Sequence, residues 1–380
     1  MMDFSRRLSD VRKLQSGGEA VVYRALLDGK IPVAVKVYAD GNAPNAERFA
    51  RLDGTFPGVP RFWGAGTLCG KNFAVSEYVV GVPSSRVSPI PPLLAVRMMR
   101  RICETLSRSK ELGIFHGDLN PENVLVAPST EPVLVDFGIR GLGAPRFAAP
   151  ERFEGADANV KSELFALGAL LYFWISGEPL FNGDSLESIE SAVFRVDLLD
   201  VTALLFGRGA LSRGEVLAVR DLWKGTLRKN PMERFDDFDE FDENLEIAEN
   251  RLREIREESF LSAAAWKSML AERVRERERR VAESPEAHLD FLNGNAPVFG
   301  TKSSARLRLA VKISLLALIL LGALFSFIYI GEKRSRIPDV DDVGDSMLEN
   351  SRNRLDDDAF ERRPTPGIRG ILVDSDSFPR

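Results

Sequence analysis

Two short motifs near the middle of this 380-residue chain leave few choices of fold. The first is His116-Gly117-Asp118-Leu119-Asn120-Pro121-Glu122-Asn123, and the second, thirteen residues after its last Asn, is Asp136-Phe137-Gly138. An Asp, an Asn five residues later and a second Asp after a short apolar run supply the groups that hold Mg²⁺ and align a hydroxyl on a nucleoside triphosphate. Few other chemistries need these groups at these intervals, so the sequence predicts a phosphotransferase.

The stretch between the two motifs predicts how their polar side chains meet. Residues 124–126 and 133–135 are apolar runs typical of the two strands of a short hairpin. Such a hairpin places Asn123 and Asp136 side by side, whereas a single Asp in a loop is more often a turn residue or a helix cap. We therefore expect Asp118 to accept or orient the proton of the attacking hydroxyl, Asn123 to bind a metal ion and Asp136 to bridge Mg²⁺ to phosphate.

The periodicity of the apolar residues divides the chain into two parts. Up to about residue 90 the pattern predicts strands, with alternation over Ile31–Tyr38 and again over residues 73–80. From Leu93 onward the pattern is helical, and residues 164–175 are apolar on nearly all sides, as in a buried helix. A small β-rich lobe followed by a larger helical lobe is an α+β fold with a cleft between the lobes.

A lysine on one of these strands is a candidate phosphate ligand. Lys36 follows residues 33–35, whose apolar side chains point into a core, so its ammonium group needs an anionic partner. Phosphate oxygens and the carboxylate of Glu47 are the candidates, although Glu47 fits a solvent-facing helix position nearly as well. Gly17 and Gly18 precede this strand, and they permit either a turn whose amides approach phosphate or an ordinary hairpin turn.

Composition excludes several other classes of function. The net charge of −5 gives no general reason to expect nucleic-acid binding. Cys69 and Cys103 are too few for a disulfide framework or a zinc site, and free thiols in a large domain fit a reducing cytosol. With only His116 and His288 available, a transition-metal centre is not expected. The N-terminus lacks the apolar run of a secretory signal.

The C-terminal third of the chain has a different character. Residues 249–300 are rich in Arg and Glu and predict a solvated helical linker, with a dimerising coiled coil as the alternative. Residues 313–330 are eighteen uncharged positions between basic flanks, which at about 1.5 Å per residue come close to spanning a ~30 Å hydrocarbon layer. They predict a single transmembrane helix rather than a core helix. A nucleotide-using domain then belongs in the cytoplasm, and residues 331–380 predict a disordered extracytoplasmic tail.

The motifs resemble those of the eukaryotic-like (Hanks-type) Ser/Thr protein kinases over about residues 8–245, and we expect the kinase domain at residues 8–248. The resemblance implies a bilobal fold, ATP and Mg²⁺ as cofactors, and an unidentified protein substrate. It implies the catalytic residues Lys36, Asp118, Asn123 and Asp136, of which Asn123 and Asp136 are metal ligands. It implies nucleotide contacts at Leu14, Gly17, Gly18, Val22, Ala34, Lys36, Glu47, Ser76, Glu77, Val79, Leu125 and Asp136.

Some of these residues have more specific roles in the family that the chain resembles. Val22, Ala34 and Leu125 would sandwich adenine, residues 77–79 would be the hinge between the lobes, and Ser76 would guard the pocket behind it. Glu47 would pair with Lys36. Arg234 would pair with Glu151 of Ala149-Pro150-Glu151, which ends the activation segment. A kinase domain followed by a charged stretch and one span resembles bacterial receptor-type kinases.

Six departures from the family pattern bear on activity. They are Gln15 and Ala20 in place of loop glycines, Gly117 in place of an Arg, Asn120 in place of a Lys, Ala144 in place of a Thr and Glu163 in place of an Asp. Residues 139–150 also contain no Ser, Thr or Tyr. We therefore expect no switching by phosphorylation of this segment, and a lower turnover because Asn120 brings no charge to the γ-phosphate.

Three functions fit the sequence. The first is transfer of the ATP γ-phosphate to Ser or Thr of a protein. The second is a pseudokinase, a nucleotide- or partner-binding module without turnover, which the altered glycine loop, Asn120 and Ala144 favour. The third is a small-molecule kinase, since His-Gly-Asp-Leu is also similar to antibiotic and sugar kinases, but Glu151 and Arg234 look like features of protein kinases.

Overall fold

Alternating apolar residues build the N-terminal sheet that the sequence predicts. Five antiparallel strands pair in the order β1-β2-β3-β5-β4. Their bounds are Leu8–Ser16 (β1), Ala20–Leu27 (β2), Ile31–Tyr38 (β3), Phe62–Leu68 (β4) and Lys71–Glu77 (β5). The computed structural model describes residues 4, 7–16, 20–39, 46–52, 57–68, 70–137, 141–207, 211–255 and 262–287.

The two faces of β3 have different surroundings. Val33, Val35 and Val37 are almost fully buried in the core of the small lobe. Ala34 and Lys36 alternate with them and lie on the opposite face, because successive side chains of a strand point to opposite sides. The sheet therefore presents Lys36 to the space between the lobes while its neighbours anchor the strand.

The second lobe is helical, as the sequence predicts, and the bilobal α+β architecture is confirmed. One short helix, Ala46–Leu52 (α1), belongs to the small lobe and packs against β4. The larger lobe contains Pro92–Glu111 (α2), Pro150–Phe153 (α3), Val160–Ser176 (α4), Leu186–Arg195 (α5), Leu198–Gly207 (α6), Arg213–Thr226 (α7) and Phe238–Glu254 (α8).

Helix α4 is the centre of the larger lobe. Residues 164–171 and Trp174 are buried, which confirms the prediction of a helix that is apolar on nearly all sides. The indole of Trp174 donates to Ser84 Oγ at 2.9 Å, and that of Trp223 in α7 donates to the carbonyl of Gly168 at 3.1 Å. Buried indole N–H groups need such acceptors, so these bonds fix how the helices pack.

A small antiparallel sheet lies beside the cleft in the larger lobe. It consists of Val82–Pro83 (β6), Val124–Val126 (β7) and Pro132–Leu134 (β8) in that order. Strands β7 and β8 form the hairpin that the sequence predicts between the two motifs, with Val124 opposite Leu134. The backbone N–H of Val135 donates to the carbonyl of Asn123 at 3.0 Å, so the hairpin holds the two motifs side by side.

The charged region after residue 248 is not the solvated linker that its composition suggests. Helix α8 continues to Glu254, and a further helix, Ala263–Glu283 (α9), packs on the lobes. Trp266, Leu270 and Val274 are buried in the core of the larger lobe, because they recur on one face of α9 at four-residue spacing. The stretch Ala263–Glu283 is helical, and this face of the helix is buried rather than solvated.

Helix α9 also reaches the small lobe and the chain between the lobes. Arg12 in β1 donates to the carbonyls of Ala282 and Ser284, both at 2.6 Å. The N–H of Ala287 donates to Val11 O at 2.7 Å. The helix therefore bridges the two lobes, and the packed domain extends past the boundary expected at residue 248.

The predicted membrane helix at residues 313–330 and the predicted tail at 331–380 lie outside the described residues. Among the helices that the structure describes, none is long and apolar enough to cross a membrane.

Candidate active site

The catalytic-loop aspartate lies between two hydrogen-bond donors. The Oδ1 atom of Asp118 accepts from the backbone N–H of Ala144 at 2.6 Å, and its Oδ2 atom accepts from the amide of Asn123 at 3.0 Å. Burial raises the pKa of Asp118, while the bonds from Ala144, Asn120 and Asn123 oppose this shift. The carboxyl group is thus held in one orientation and is a better proton acceptor than an exposed Asp.

Two asparagines hold the loop around Asp118. The Asn123 amide also donates to the Asp118 carbonyl at 2.9 Å, and the Asn120 amide donates to the same carbonyl at 3.1 Å. The Oδ1 atom of Asn120 accepts from the N–H of Glu122 at 2.9 Å. The side chain of Asn120 therefore braces the loop from within, which explains why it is buried despite its polarity.

A buried glutamate supports this loop from below. The Oε1 atom of Glu163, in the first turn of α4, accepts from the backbone N–H groups of both His116 and Gly117. Its Oε2 atom is buried and has no hydrogen-bond partner among the described residues. Burial raises the pKa of Glu163 to about 7, even though the two N–H bonds favour the carboxylate. Glu163, one of the six departures from the family pattern, thus still anchors the loop in place of the usual Asp.

His116 connects the catalytic loop to the second motif. Its Nε2 atom lies 2.9 Å from the carbonyl of Val135, and its Nδ1 atom accepts from the N–H of Asp118 at 3.3 Å. Its ring centroid is 4.6 Å from that of Phe137. Full burial lowers the pKa of His116 to about 4, so the ring is neutral and acts as a spacer between the motifs.

The strand lysine and the second aspartate meet in the cleft. Lys36 Nζ lies 2.7 Å from Asp136 Oδ1, and Asp136 has a positive φ of 64° that turns its side chain toward the sheet. Glu47, the expected partner of Lys36, is exposed in the first turn of α1. Among the described contacts it makes no ion pair with Lys36, so the acid that the structure brings to the lysine is Asp136.

The residues predicted to surround adenine lie on the two walls of the cleft. Strand register places Val22 opposite Lys36 and Ala34 opposite Ser76, so all four side chains share the cleft face of the sheet. Leu125 lies in β7 on the other wall. Behind Ser76 is a cavity of ≈ 80 Å³ that Lys36 and Asp136 also line.

The predicted hinge runs from β5 toward β6. Glu77 is exposed, and its Oε2 atom accepts from the N–H of Arg61 at 3.1 Å. Val79 is partly buried. Leu14 lies on β1 within a bulge in its pairing with β2. Gly17 and Gly18 lie outside the described residues.

The segment from Asp136 to Glu151 is short and is held at its end. Arg234 makes a two-pronged ion pair with Glu151, at 2.6 and 2.8 Å, and the guanidinium group is fully buried. This confirms the predicted pairing of these two residues. Arg152 donates to the carbonyls of Gly141 and Ala156, which fixes the segment without any phosphate group.

Comparison with known proteins assigns the family. The sequence profile described as "Protein kinase domain" matches residues 8–241, more than half of the chain. This chain belongs to the protein kinase family.

Curated relatives of this kinase domain include mycobacterial kinases. The serine/threonine-protein kinase PknD of Mycobacterium tuberculosis is 29% identical over 251 residues, covering 59% of this chain and 37% of PknD. PknB of the same species is 28% identical over 182 residues, covering 43% of this chain and 28% of PknB. The chain thus spans less than half the length of these two relatives. The crystal structure of the M. tuberculosis PknI kinase domain aligns with a TM-score of 0.49 and 19% identity, covering 65% of this chain and 99% of that chain.

Three site features of this kinase domain escape prediction from the sequence. The first is the backbone bond from Ala144 to Asp118, which depends on how the activation segment folds back. The second is the pair between Lys36 and Asp136 in place of one with Glu47. The third is the contact of α9 with the hinge, where the Tyr78 hydroxyl donates to Glu278 at 2.6 Å. The four-residue spacing of Trp266, Leu270 and Val274 was the signal for that contact.

The donor set fits Mg²⁺ and a nucleotide. An amide oxygen and a carboxylate are ligands that Mg²⁺ accepts. No described donor contacts Oδ1 of Asn123, and the one ion pair that Asp136 makes among the described residues is with Lys36. Asn123 and Asp136 would therefore hold the metal, and Lys36 would contact phosphate oxygens.

Proposed function

We propose that this protein transfers the γ-phosphate of ATP, with Mg²⁺, to Ser or Thr of a protein substrate. The observation that carries the proposal is the convergence of Lys36, Asp118, Asn123 and Asp136 around one cleft. Lys36 pairs with Asp136 at 2.7 Å, and Asn123 donates to Asp118 at 3.0 Å. The hairpin of β7 and β8 joins these two pairs through the bond from Val135 to Asn123. Family membership and the named relatives support the reaction class.

Asp118 has the geometry of the group that receives the substrate proton. As the hydroxyl oxygen of Ser or Thr forms its bond to the γ-phosphorus, the bond from that phosphorus to the β,γ-bridging oxygen breaks and ADP leaves. The hydroxyl proton passes to the Asp118 carboxylate, whose orientation is fixed by Ala144 and Asn123. Mg²⁺ held by Asn123 and Asp136 would neutralise charge on the phosphates. Lys36 adds a positive charge on the opposite wall of the cleft.

The loop chemistry favours a slow enzyme. One N–H of the Asn120 amide donates to the Asp118 carbonyl, and the neutral amide brings no positive charge to the γ-phosphate. The side chain of Ala144 cannot brace the loop as a hydroxyl would, but its backbone N–H takes over one bond to Asp118. Asn120 and Ala144 lower the expected turnover, but the proton acceptor Asp118 and the proposed metal ligands Asn123 and Asp136 are present.

Incorporation of radiolabel from [γ-³²P]ATP tests the proposal. The full chain is assayed on a generic protein acceptor beside Asp118→Asn, which keeps the shape of the side chain but removes the proton acceptor. We expect a loss of at least about a hundredfold in the variant. Equal incorporation by the two proteins would remove the enzyme interpretation. ATP affinity with and without Mg²⁺ then shows whether the site binds nucleotide at all.

A pseudokinase remains the second candidate because of one specific contact. Lys36 and Asp136 neutralise each other's charge at 2.7 Å, and Glu47 is exposed. A protein that kept this pair permanently would bind neither phosphate nor metal in the manner above. ATP binding that is independent of Mg²⁺, with no label transfer, would favour this second function.

The buried pair of Arg234 and Glu151 supports a protein kinase over a small-molecule kinase.

We also propose that residues 313–330 anchor the protein in a membrane, with the kinase domain on the cytoplasmic side. The support is the eighteen uncharged positions with basic flanks. The full chain should remain in the membrane pellet after an alkaline carbonate wash. Replacement of Leu320 and Leu321 by Arg should release it, because charged residues at the centre of a span are costly.

A further inference from the structure

A pocket of ≈ 480 Å³ opens beside the cleft, at the place where α9 crosses the chain between the lobes. Three segments line it besides α9: the end of β1 at Gln15, the stretch after the hinge at Val82, and the catalytic loop at Glu122. Its cationic residues are Lys13, Arg86, Arg273, Arg277 and Arg280. We call this the arginine pocket.

The arginine pocket has an excess of positive charge. Its five cations face two acids, Glu122 and Glu276, which leaves a net charge of +3. Glu276 is already engaged by Arg279 and Arg280, at 2.8 and 2.6 Å. Glu122 accepts from the hydroxyl of Ser85 at 2.5 Å. The local charge is opposite in sign to that of the chain as a whole, which is −5.

Three of the cations are available to an outside partner. Lys13, Arg86 and Arg273 are exposed, and within the described part of the chain they make no ion pair. Arg277, by contrast, is fixed: it donates to the carbonyl of Gly81 and lies 5.7 Å over the ring of Tyr78. The pocket thus combines a fixed wall with free cations, as a site for an anionic segment requires.

The position of the arginine pocket connects it to the reacting groups. Glu122 immediately precedes Asn123 and is four residues from Asp118 on the same loop. The edge of the pocket at Gln15 lies close to the end of β1. A peptide whose hydroxyl reaches Asp118 can therefore extend its flanking residues into the pocket.

We propose that the arginine pocket selects protein substrates whose phosphoacceptor Ser or Thr lies in an acidic segment. Asp and Glu side chains near the acceptor would pair with Lys13, Arg86 and Arg273, while an uncharged or basic segment would leave these cations unpaired or repelled. This inference rests on the proposed kinase function and adds its substrate class. It also gives α9 a direct part in specificity.

Matched peptides test the inference on the full chain. One peptide has a single central Ser with three Asp on each side, and its partner has Asn in place of every Asp. We expect kcat/KM for the Asp peptide to be about tenfold higher, because several exposed charge pairs each contribute a small factor. The ratio should shrink toward one at about 0.5 M salt, where screening is strong.

Two substitutions on α9 separate the effect of the arginine pocket from a general effect of removing one positive charge. Arg273→Gln and Arg275→Gln each remove one exposed Arg of α9 that has no described ion pair, but only Arg273 lines the pocket. Arg273→Gln should reduce the Asp-to-Asn ratio about threefold, and the double variant with Arg86→Gln should bring it close to one. Arg275→Gln should keep the ratio of the unmodified protein. An equal ratio in all four proteins would overturn the inference.

A binding measurement separates this inference from the kinase proposal. A fluorescent Asp peptide with Ala in place of Ser is titrated with the unmodified protein and with the Arg273→Gln variant, and anisotropy is recorded. Tighter binding by the unmodified protein supports the pocket even if no phosphate is transferred. Label transfer to both peptides at equal efficiency, with equal anisotropy curves, would overturn the pocket and leave the kinase function standing.

Discussion

Lys36 and Asp136 neutralise each other across the cleft, with their nitrogen and oxygen atoms 2.7 Å apart. Both side chains are partly exposed, at 24% and 35%, so the pair is open to exchange with a nucleotide and a metal ion. The phosphate binding proposed for Lys36 and the metal binding proposed for Asp136 would each require this pair to loosen. Glu47 is exposed, and no described ion pair between Glu47 and Lys36 competes with the pair between Lys36 and Asp136.

Loss of the lysine should therefore affect chemistry far more than stability. For Lys36→Met we expect at least about a hundredfold lower label transfer, because one cation on the phosphates is lost. The free energy of unfolding should change by less than about 1 kcal/mol, since a partly exposed ion pair contributes little. Urea denaturation and the transfer assay measure the two effects. Lys30→Met, in the exposed turn before β3, is the control, and full activity of Lys36→Met would contradict the assigned role.

Activity should not depend on phosphorylation of the activation segment. Residues 139–150 contain no hydroxyl side chain, and Arg152 already holds the segment through the carbonyls of Gly141 and Ala156. Gly117 also removes the Arg that such a phosphate would neutralise in the family. We expect full activity after exhaustive phosphatase treatment, checked by intact-mass analysis. An activity loss that ATP preincubation restores would contradict this.

A side chain at Gly143 should damage the catalytic loop. The residue has φ of 71°, and an added Cβ would lie 2.7 Å from Asp118 Oδ1 and 3.0 Å from the Gly117 carbonyl. Gly143→Ala should cost about 1–3 kcal/mol of stability and most of the activity. Gly141 has a similar φ of 87°, and an added Cβ would meet no described atom within 4 Å. Gly141→Ala therefore has the backbone cost without the clash. Equal activity of the two variants would show that the close approach to Asp118 is unimportant.

The stability of the folded state should depend on pH through Glu163. Its pKa is raised from 4.5 to about 7, so between these values the folded protein holds a proton that the unfolded chain has lost. Rising pH therefore lowers stability over this window. Gln cannot titrate, and it keeps an acceptor for the N–H groups of His116 and Gly117.

Comparison with the Glu163→Gln variant isolates the contribution of Glu163 to the pH dependence of stability. Relative to the variant, the unmodified protein should lose about 1–3 kcal/mol of unfolding free energy between pH 4.5 and pH 7.5. Urea denaturation at several pH values gives both curves, and all other titrating groups are common to the two proteins. Parallel curves would mean that the pKa of Glu163 is not raised by its burial.

Helix α9 should contribute strongly to the stability of the domain. Trp266 is fully buried, and its indole donates to the Val87 carbonyl at 2.7 Å. Trp266→Ala leaves a large cavity and an unpaired acceptor, for which we expect a loss of about 3–5 kcal/mol in urea denaturation. Lys267→Ala, one residue further on and exposed, should change stability by less than about 0.5 kcal/mol. A small effect of Trp266→Ala would contradict the packing of α9 on the domain.

Local sequence patterns predicted those parts of the site whose geometry depends on residues close together in sequence. The hairpin from Val124 to Leu134 sets Asn123 against Asp136, and strand alternation sets Lys36 on the cleft face, so both could be predicted from the residues. The partner of Lys36 could not, because it depends on where α1 lies relative to the sheet.

The packing of α9 on the lobes could not be predicted from the sequence for a different physical reason. Five arginines between residues 273 and 280 dominate the composition of this helix and suggest a solvated surface. The face that packs on the lobes is marked by four buried apolar residues, Trp266, Leu270, Val274 and Val281, with Met269 partly buried beside them. A narrow apolar stripe suffices because long Arg side chains cover the rest and reach polar partners such as the Gly81 carbonyl.

The crossing of α9 over the hinge has a consequence for inhibitor design. Arg277 and Glu278 contact Gly81 and Tyr78 from a helix that lies beyond residue 241, where the match to the family ends. A compound that fills the proposed adenine site and extends outward past Gly81 would meet side chains of α9, which lies outside the part of the chain shared with the family. Selectivity against related kinases is therefore to be sought at this exit rather than in the adenine site itself.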